Sequence, residues 1–282
     1  MNTGKHEPKF QPPKIVLLAV EGWGKTTCGC HTIKPLMVMA EGETGYLTLS
    51  STGQVPVVPT ILNGGNKPRP IKTWAELNQL VDQLRDGKLT GFKTLVLDAI
   101  GAIQNILIDH VIRYDFDNSF DKFISFGRGH ERAGREWSMF LSKLDGLVEV
   151  GIMSLILGHV KIEAFHNPEG DDYDRYQADV HKKIWSSTKR WADAVLFGNY
   201  AQITEKADRH SRAKGIGDAQ RILQTQYRNT ADAKNRYNMP PELDIPDNPS
   251  QAWAKIWEHI APDEIKKKKG GAKNGTATIA AG

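Results

Sequence analysis

The chain has 282 residues with 39% hydrophobic and 25% charged residues, a mixture that supports a packed core and excludes wholesale disorder. No apolar stretch is long enough to span a bilayer, and the opening MNTGKHEPKFQPPK lacks the apolar centre of a signal peptide, so membrane insertion and secretion are not expected. Two cysteines, Cys28 and Cys30, cannot form a disulfide framework, which points to a reducing cytoplasm. The formal charge of +4 is unevenly spread: residues 182–236 hold twelve Lys/Arg against five Asp/Glu, the tail from Asp263 holds five lysines against two acids, and the remainder is net acidic. Local basic clusters of this kind suit an anionic polymer.

In chain order, residues 1–13 are polar and proline-punctuated and read as a flexible arm. Residues 14–19, KIVLLA, form an apolar run that suits a strand buried on both faces; Gly22-Trp23-Gly24 breaks it, and a helix is predicted to follow through His31. Residues 36–40 read as a second buried strand and 55–61 as a third, interrupted by prolines. Thr73-Trp74-Ala75-Glu76 has the pattern of a capping box opening a helix, with Gly87 just past its end. Residues 93–98, KTLVLD, are a strand ending in a carboxylate, and helices are predicted over 99–113 and 131–149. A strand over 152–157 stops at Gly158-His159, and the polar stretch 163–183 reads as a long loop. Short strands near 194–197, 201–204 and 221–226 and a helix near 250–260 precede a low-complexity basic tail over 263–282, expected to be disordered. Strands alternating with helices, then a run of short strands, predict an α/β core over 14–262 with a mostly parallel central sheet flanked by helices and an antiparallel strand extension. Ligands of such sheets collect at the carboxyl ends of the strands.

The candidate chemistry falls at those ends. Residues 19–26, AVEGWGKT, match the Walker A phosphate-loop pattern G-x-x-x-x-G-K-[ST], with alanine in place of the first glycine. Glycines let backbone N–H groups turn inward around a polyphosphate. Glu21, Gly22, Trp23, Gly24, Lys25, Thr26 and Thr27 are therefore the candidate nucleotide contacts, with Lys25 reaching the β- and γ-phosphates and Thr26 ligating Mg²⁺. Asp98 suits the second metal-holding position beside this loop, the alternative being the N-cap of the following helix. Hydrolysis needs a group that orients or deprotonates water; Glu41 stands nearest the end of its strand, with Glu43 two residues on as the alternative. His159 is placed to sense the γ-phosphate, or simply to hydrogen-bond at a strand end.

Other patterns carry less. Cys28 and Cys30, two apart on a helix, point in opposed directions and cannot share a metal, so they read as small buried residues. Residues 169–174, EGDDYD, lack the spacing and terminal glutamate of a calcium loop. Trp23 would cover the nucleotide, touch a neighbouring subunit, or pack within its own domain.

With these residues in place the chain resembles the RecA-core P-loop ATPases of phage and prophage origin, a group that includes single-strand annealing recombinases. The resemblance runs from about Lys14 to Pro241 and rests on VEGWGKTT at 20–27, MAEGETGYLTL at 39–49, KTLVLDAIGA at 93–102, LILGHVK at 155–161, WADAVLFG at 191–198 and AKNRYNMP at 233–240. It implies a RecA-like fold, ATP and Mg²⁺ as cofactors, ATP hydrolysis with Lys25, Glu41 and His159 as its catalytic residues and Thr26 and Asp98 at the metal, and homo-oligomers acting on single-stranded DNA. It also implies a DNA-contacting loop after the sensor strand, here about 161–190, with Lys182, Lys183, Lys189, Arg190, Arg209, Arg212 and Lys214 at its end and beyond, and Trp185 and Trp191 stacking on bases. Lys214, Arg212 or Arg221 would supply a finger to a neighbouring site. The expected function is thus a DNA-stimulated ATPase of recombination and annealing. The alternatives are a P-loop kinase acting on a small molecule or polynucleotide end, and an ATP-gated binding module with little turnover.

Overall fold

A computed structural model places residues 4, 9–201, 203–205, 214–216 and 220–261, the residues described below. The expected disordered tail, most of the N-terminal arm, Arg209, Arg212 and the side chain of Lys214 lie outside them. The chain runs β1 (Lys14–Ala19), α1 (Lys25–Cys30), β2 (Pro35–Met39), α2 (Gly45–Ser51), α3 (Trp74–Arg85), β3 (Thr94–Asp98), α4 (Ile100–Asp115), α5 (Phe120–Ile124) and α6 (Arg128–Glu149). It continues through β4 (Met153–Gly158), β5 (Val160–Phe165), β6 (Tyr173–Ala178), α7 (Lys182–Trp191), β7 (Ala194–Tyr200), β8 (Ile203–Glu205), β9 (Lys214–Ile216), β10 (Arg221–Gln224), β11 (Lys234–Asn235), β12 (Glu242–Ile245) and α8 (Ala252–Ile260).

The central sheet has the order β12-β10-β7-β1-β4-β3-β2. Neighbours from β7 to β2 are parallel, whereas β10 and β12 run antiparallel, as does β11 against β7. This is the mostly parallel sheet with an antiparallel extension expected from the sequence. Alternate residues of the parallel strands feed two cores. Val16, Leu18, Val38, Leu95, Leu97 and Ile156 face α3, α4, α6 and α7. Ile15, Leu17, Met37, Val96, Leu155 and Leu157 face the α1 and α8 side. Strands buried on both faces must be apolar at every position, and these are.

Local departures from expectation have local causes. The strand expected over 55–61 is reduced to a single bridge from Thr60 to Met37, because Pro56 and Pro59 cannot donate to a ladder. The loop expected over 163–183 is instead the β5–β6 hairpin, whose paired residues run from Val160↔Ala178 to Phe165↔Tyr173, followed by the start of α7. Most of β5 is exposed on both faces, so no alternation of apolar and polar residues announces it. The Thr73 hydroxyl accepts from the Glu76 N–H as foreseen, while the Glu76 carboxylate turns back to the Lys72 N–H and to Arg69. At the end of the arm, the Phe10 ring stands edge-on to Trp257 of α8 with centroids 6.1 Å apart.

Candidate functional site

β1 delivers Ala19 to the carboxyl edge of the sheet, and the next five residues form a turn that α1 continues. Gly22 (φ 72°) and Gly24 (φ 104°) take left-handed conformations that other residues rarely adopt. Gly24 is doubly constrained, since a Cβ there would lie 2.5 Å from Cβ of Pro249. No side chain caps α1, and among the described residues no carbonyl accepts from the N–H groups of Gly22, Gly24, Lys25, Thr26 or Thr27. Lys25, buried in this turn, donates from Nζ to the carbonyl oxygens of Ala19 (2.9 Å) and Val20 (3.3 Å). Burial holds its pKa below the ordinary lysine value. Glu21 is exposed at the rim and Thr27 is buried within α1.

The antiparallel extension braces this turn, a role that the sequence did not disclose. Trp23 is fully buried, and its Nε1 donates to the Ile222 carbonyl at 3.1 Å. The Tyr200 hydroxyl donates to the Gly22 carbonyl at 2.9 Å, and Arg221 donates from Nε to the Trp23 carbonyl at 3.0 Å and from Nη1 to the Asp247 carbonyl. Of the three places considered for Trp23, its ring takes the one inside its own domain. Arg221, a candidate finger for a neighbouring site, is committed to its own loop.

Asp98 ends β3, two strands from β1, and is 4% exposed. Its Oδ2 accepts from the Thr26 hydroxyl at 2.8 Å. The N-cap of α4 is Ala99 rather than Asp98, which leaves the carboxylate turned to the phosphate loop. Burial pushes the Asp98 carboxyl up to about 6, opposed by the Thr26 hydrogen bond. Two hard oxygens this close suit a magnesium ion, and free backbone donors beside a lysine suit a polyphosphate.

Glu41 and Glu43 occupy the loop after β2, and both line a cavity of about 390 Å³ shared with His159, Gln104 and Asp179. Their surroundings differ. The Glu43 side chain is 26% exposed and lies 3.4 Å from His159 Nε2, and the hydrogen bond from His159 holds its carboxyl below the usual range. The Glu41 side chain is 60% exposed and lies 3.8 Å from Lys72 Nζ.

The remaining candidates separate clearly. Cys28 and Cys30 are buried free thiols, each pushed up to about 12 by burial. In the turn between β5 and β6, His166 Nδ1 lies 2.7 Å from Asp172. Trp185 is buried with Nε1 on Asp232 (2.9 Å), and Trp191 Nε1 donates to Asp145 (2.8 Å) beneath Lys14, so both expected stacking rings are engaged within the fold.

Unpartnered amides around a lysine, with a buried acid on the loop's threonine, define the class: an AAA-type P-loop ATPase, which binds ATP. More specifically, the chain belongs to the AAA domain family, whose model matches residues 11–237. No curated protein matches it. Among solved structures it is similar to the crystal structure of the RadB recombinase, with a TM-score of 0.43 and 12% identity over 85% of this chain and 90% of that one. No helix among the described residues is long and apolar enough to cross a membrane.

Proposed function

We propose that this protein hydrolyses ATP with magnesium and couples the nucleotide state to a grip on single-stranded DNA, acting as a cytoplasmic homo-oligomer in phage-type recombination or annealing. One observation carries the catalytic part: Lys25, Thr26 and Asp98 converge on one side of a site whose other side is the Glu43–His159 pair. Thr26 and Asp98 would hold the magnesium, which when bound neutralises charge on the β- and γ-phosphate oxygens. Lys25 leaves the carbonyls of Ala19 and Val20 to bind phosphate oxygens, and the free amides of the loop orient them. Glu43 is the favoured base over Glu41, since its carboxylate is half-buried, kept ionised, and steadied by His159. His159 thereby senses the site's occupancy. Its carbonyl accepts the Asp179 N–H at 3.0 Å, tying the base of the β5–β6 hairpin to the same place. DNA as the partner is supported by the basic 182–236 segment.

The test is ATP turnover with and without single-stranded DNA, together with annealing of complementary oligonucleotides, for the wild type and Lys25→Ala. DNA-stimulated turnover and annealing that vanish in the variant are expected. Transfer of phosphate to an acceptor without DNA dependence would instead make the protein a kinase. Tight ATP binding without turnover would make it a gated binding module.

A further inference from the structure

α6 and α7 pack closely where Gly134 meets Lys183; a Cβ on Gly134 would stand 3.4 Å from the Lys183 Cβ. On their outer side a groove of about 690 Å³ runs between them. Four cations line it, Arg135 from α6 and Lys182, Lys183 and Arg190 from α7, against one acid, Glu131. Glu131 is taken up by Lys183, with Arg135 at 4.0 Å. Among the described residues Lys182 and Arg190 join no ion pair. Ser138 and Ser186 also line the groove, and the Ser138 hydroxyl donates to the Gly134 carbonyl at 2.9 Å. On the other flank of α7 a second recess of about 350 Å³, against the β5–β6 hairpin, shares Lys182 and Ser186; its further lysines are already paired, Lys161 with Glu163 (2.8 Å) and Lys189 with Asp232 (3.1 Å). The two recesses meet at Lys182 and Ser186 as one track, whose unpaired cations, Lys182 and Arg190, line the α6–α7 groove.

No aromatic residue lines the groove between α6 and α7, and Trp185, at the second recess, is buried with its Nε1 on Asp232. A protein partner is ordinarily held by aromatic anchors at the centre of its interface; here complementarity rests on charge and a hydroxyl. We propose that this track seats the phosphodiester backbone of a single nucleic-acid strand. Arg135, Lys182 and Arg190 contact phosphates, Ser186 adds a neutral donor, and no base is read. The proposal rests on the DNA-acting reading above and places that contact on α6 and α7.

The test is binding of a fluorescently labelled oligo-thymidine across a salt series, with ATP binding and thermal melting as controls for folding. The triple variant Arg135→Gln/Lys182→Gln/Arg190→Gln is compared with a control of equal charge loss, Lys67→Gln/Lys88→Gln/Lys255→Gln. The groove variant is expected to bind about ten- to a hundredfold more weakly at low salt, with the slope of log affinity on log salt reduced by about 2, while the control is little changed. The singles Arg135→Gln and Arg190→Gln should each reduce the slope by about 0.7, keeping the test open if the triple variant melts early. Equal losses in groove and control variants, an unchanged slope, or equal affinity for duplex would overturn the groove. A wild type that binds no oligonucleotide would overturn the DNA-acting reading itself.

Discussion

Nε2 of His159 lies 3.4 Å from Oε1 of Glu43, joining the residue after β4 to the loop after β2 across the end of β3. Asp98 ends the strand between them, and both partners act electrostatically on its carboxyl. Two residues more than a hundred positions apart thus meet because sheet order, not chain order, sets neighbours at the carboxyl edge.

Glu43→Gln is expected to lower kcat for ATP by about 10²–10⁴ while leaving ATP affinity within a few fold, because a base acts chiefly on the transition state. Glu41→Gln should change kcat by less than about threefold, since an exposed carboxylate near a surface lysine contributes little. Steady-state turnover beside equilibrium nucleotide titration checks both, and the reverse ranking would return the role to Glu41.

Asp98 gives a pH signature. Its folded pKa of about 6 exceeds the ordinary value of 3.8, so it holds its proton better folded than unfolded. Its contribution to stability is fully present below about pH 4 and is lost as pH rises through about 6. Asp98→Asn should therefore stabilise the nucleotide-free protein at pH 7.5 by on the order of 2 kcal/mol and by much less at pH 4. Urea midpoints at the two pH values measure this. Magnesium-dependent ATP affinity should fall below about pH 6 in the wild type, where the carboxyl must lose its proton to bind metal.

Gly198 lies under Trp23. A Cβ there would meet the indole at 2.5 Å and the Ala19 Cβ at 2.9 Å. Gly198→Ala should cost about 1–3 kcal/mol through overpacking and weaken ATP binding by displacing the loop. Thermal melts and nucleotide titration of the one variant check both effects; intact binding despite lost stability would mean that Trp23 does not brace the loop.

Asp232 accepts from Arg175 (2.9 Å), Trp185 (2.9 Å) and Lys189 (3.1 Å), fastening the β5–β6 hairpin to α7. Arg175 is 6% exposed. Asp232→Ala leaves this buried guanidinium without its carboxylate and should cost about 3–5 kcal/mol, read from denaturant unfolding.

Strands buried on both faces were legible because each of their residues must be apolar, so residues 14–19, 36–40, 93–98 and 152–157 stood out. The phosphate loop was legible because Gly22, Gly24, Lys25 and Thr26 answer to local backbone chemistry. The β5–β6 hairpin was not, since residues wet on both faces carry no period. Arg221 and Tyr200 were not legible as braces of a loop nearly two hundred residues earlier, because long-range hydrogen bonds leave no local pattern. Trp185 and Trp191 looked like stacking rings beside lysines, yet Trp185 is buried on Asp232 and the half-buried Trp191 is held by Asp145. Glu41 and Glu43 could not be separated by distance from the strand end, since what distinguishes them is contact with His159 or with Lys72.

The ammonium of Lys25 rests on the carbonyls of Ala19 and Val20. A triphosphate seated as proposed would draw it away, so that binding would exchange two internal hydrogen bonds for contacts to phosphate. Nucleotides short of the terminal phosphate offer less in return for that release. On the proposed reading, preference for tri- over diphosphate would follow from the resting position of this one side chain, ahead of any closure of the surrounding chain.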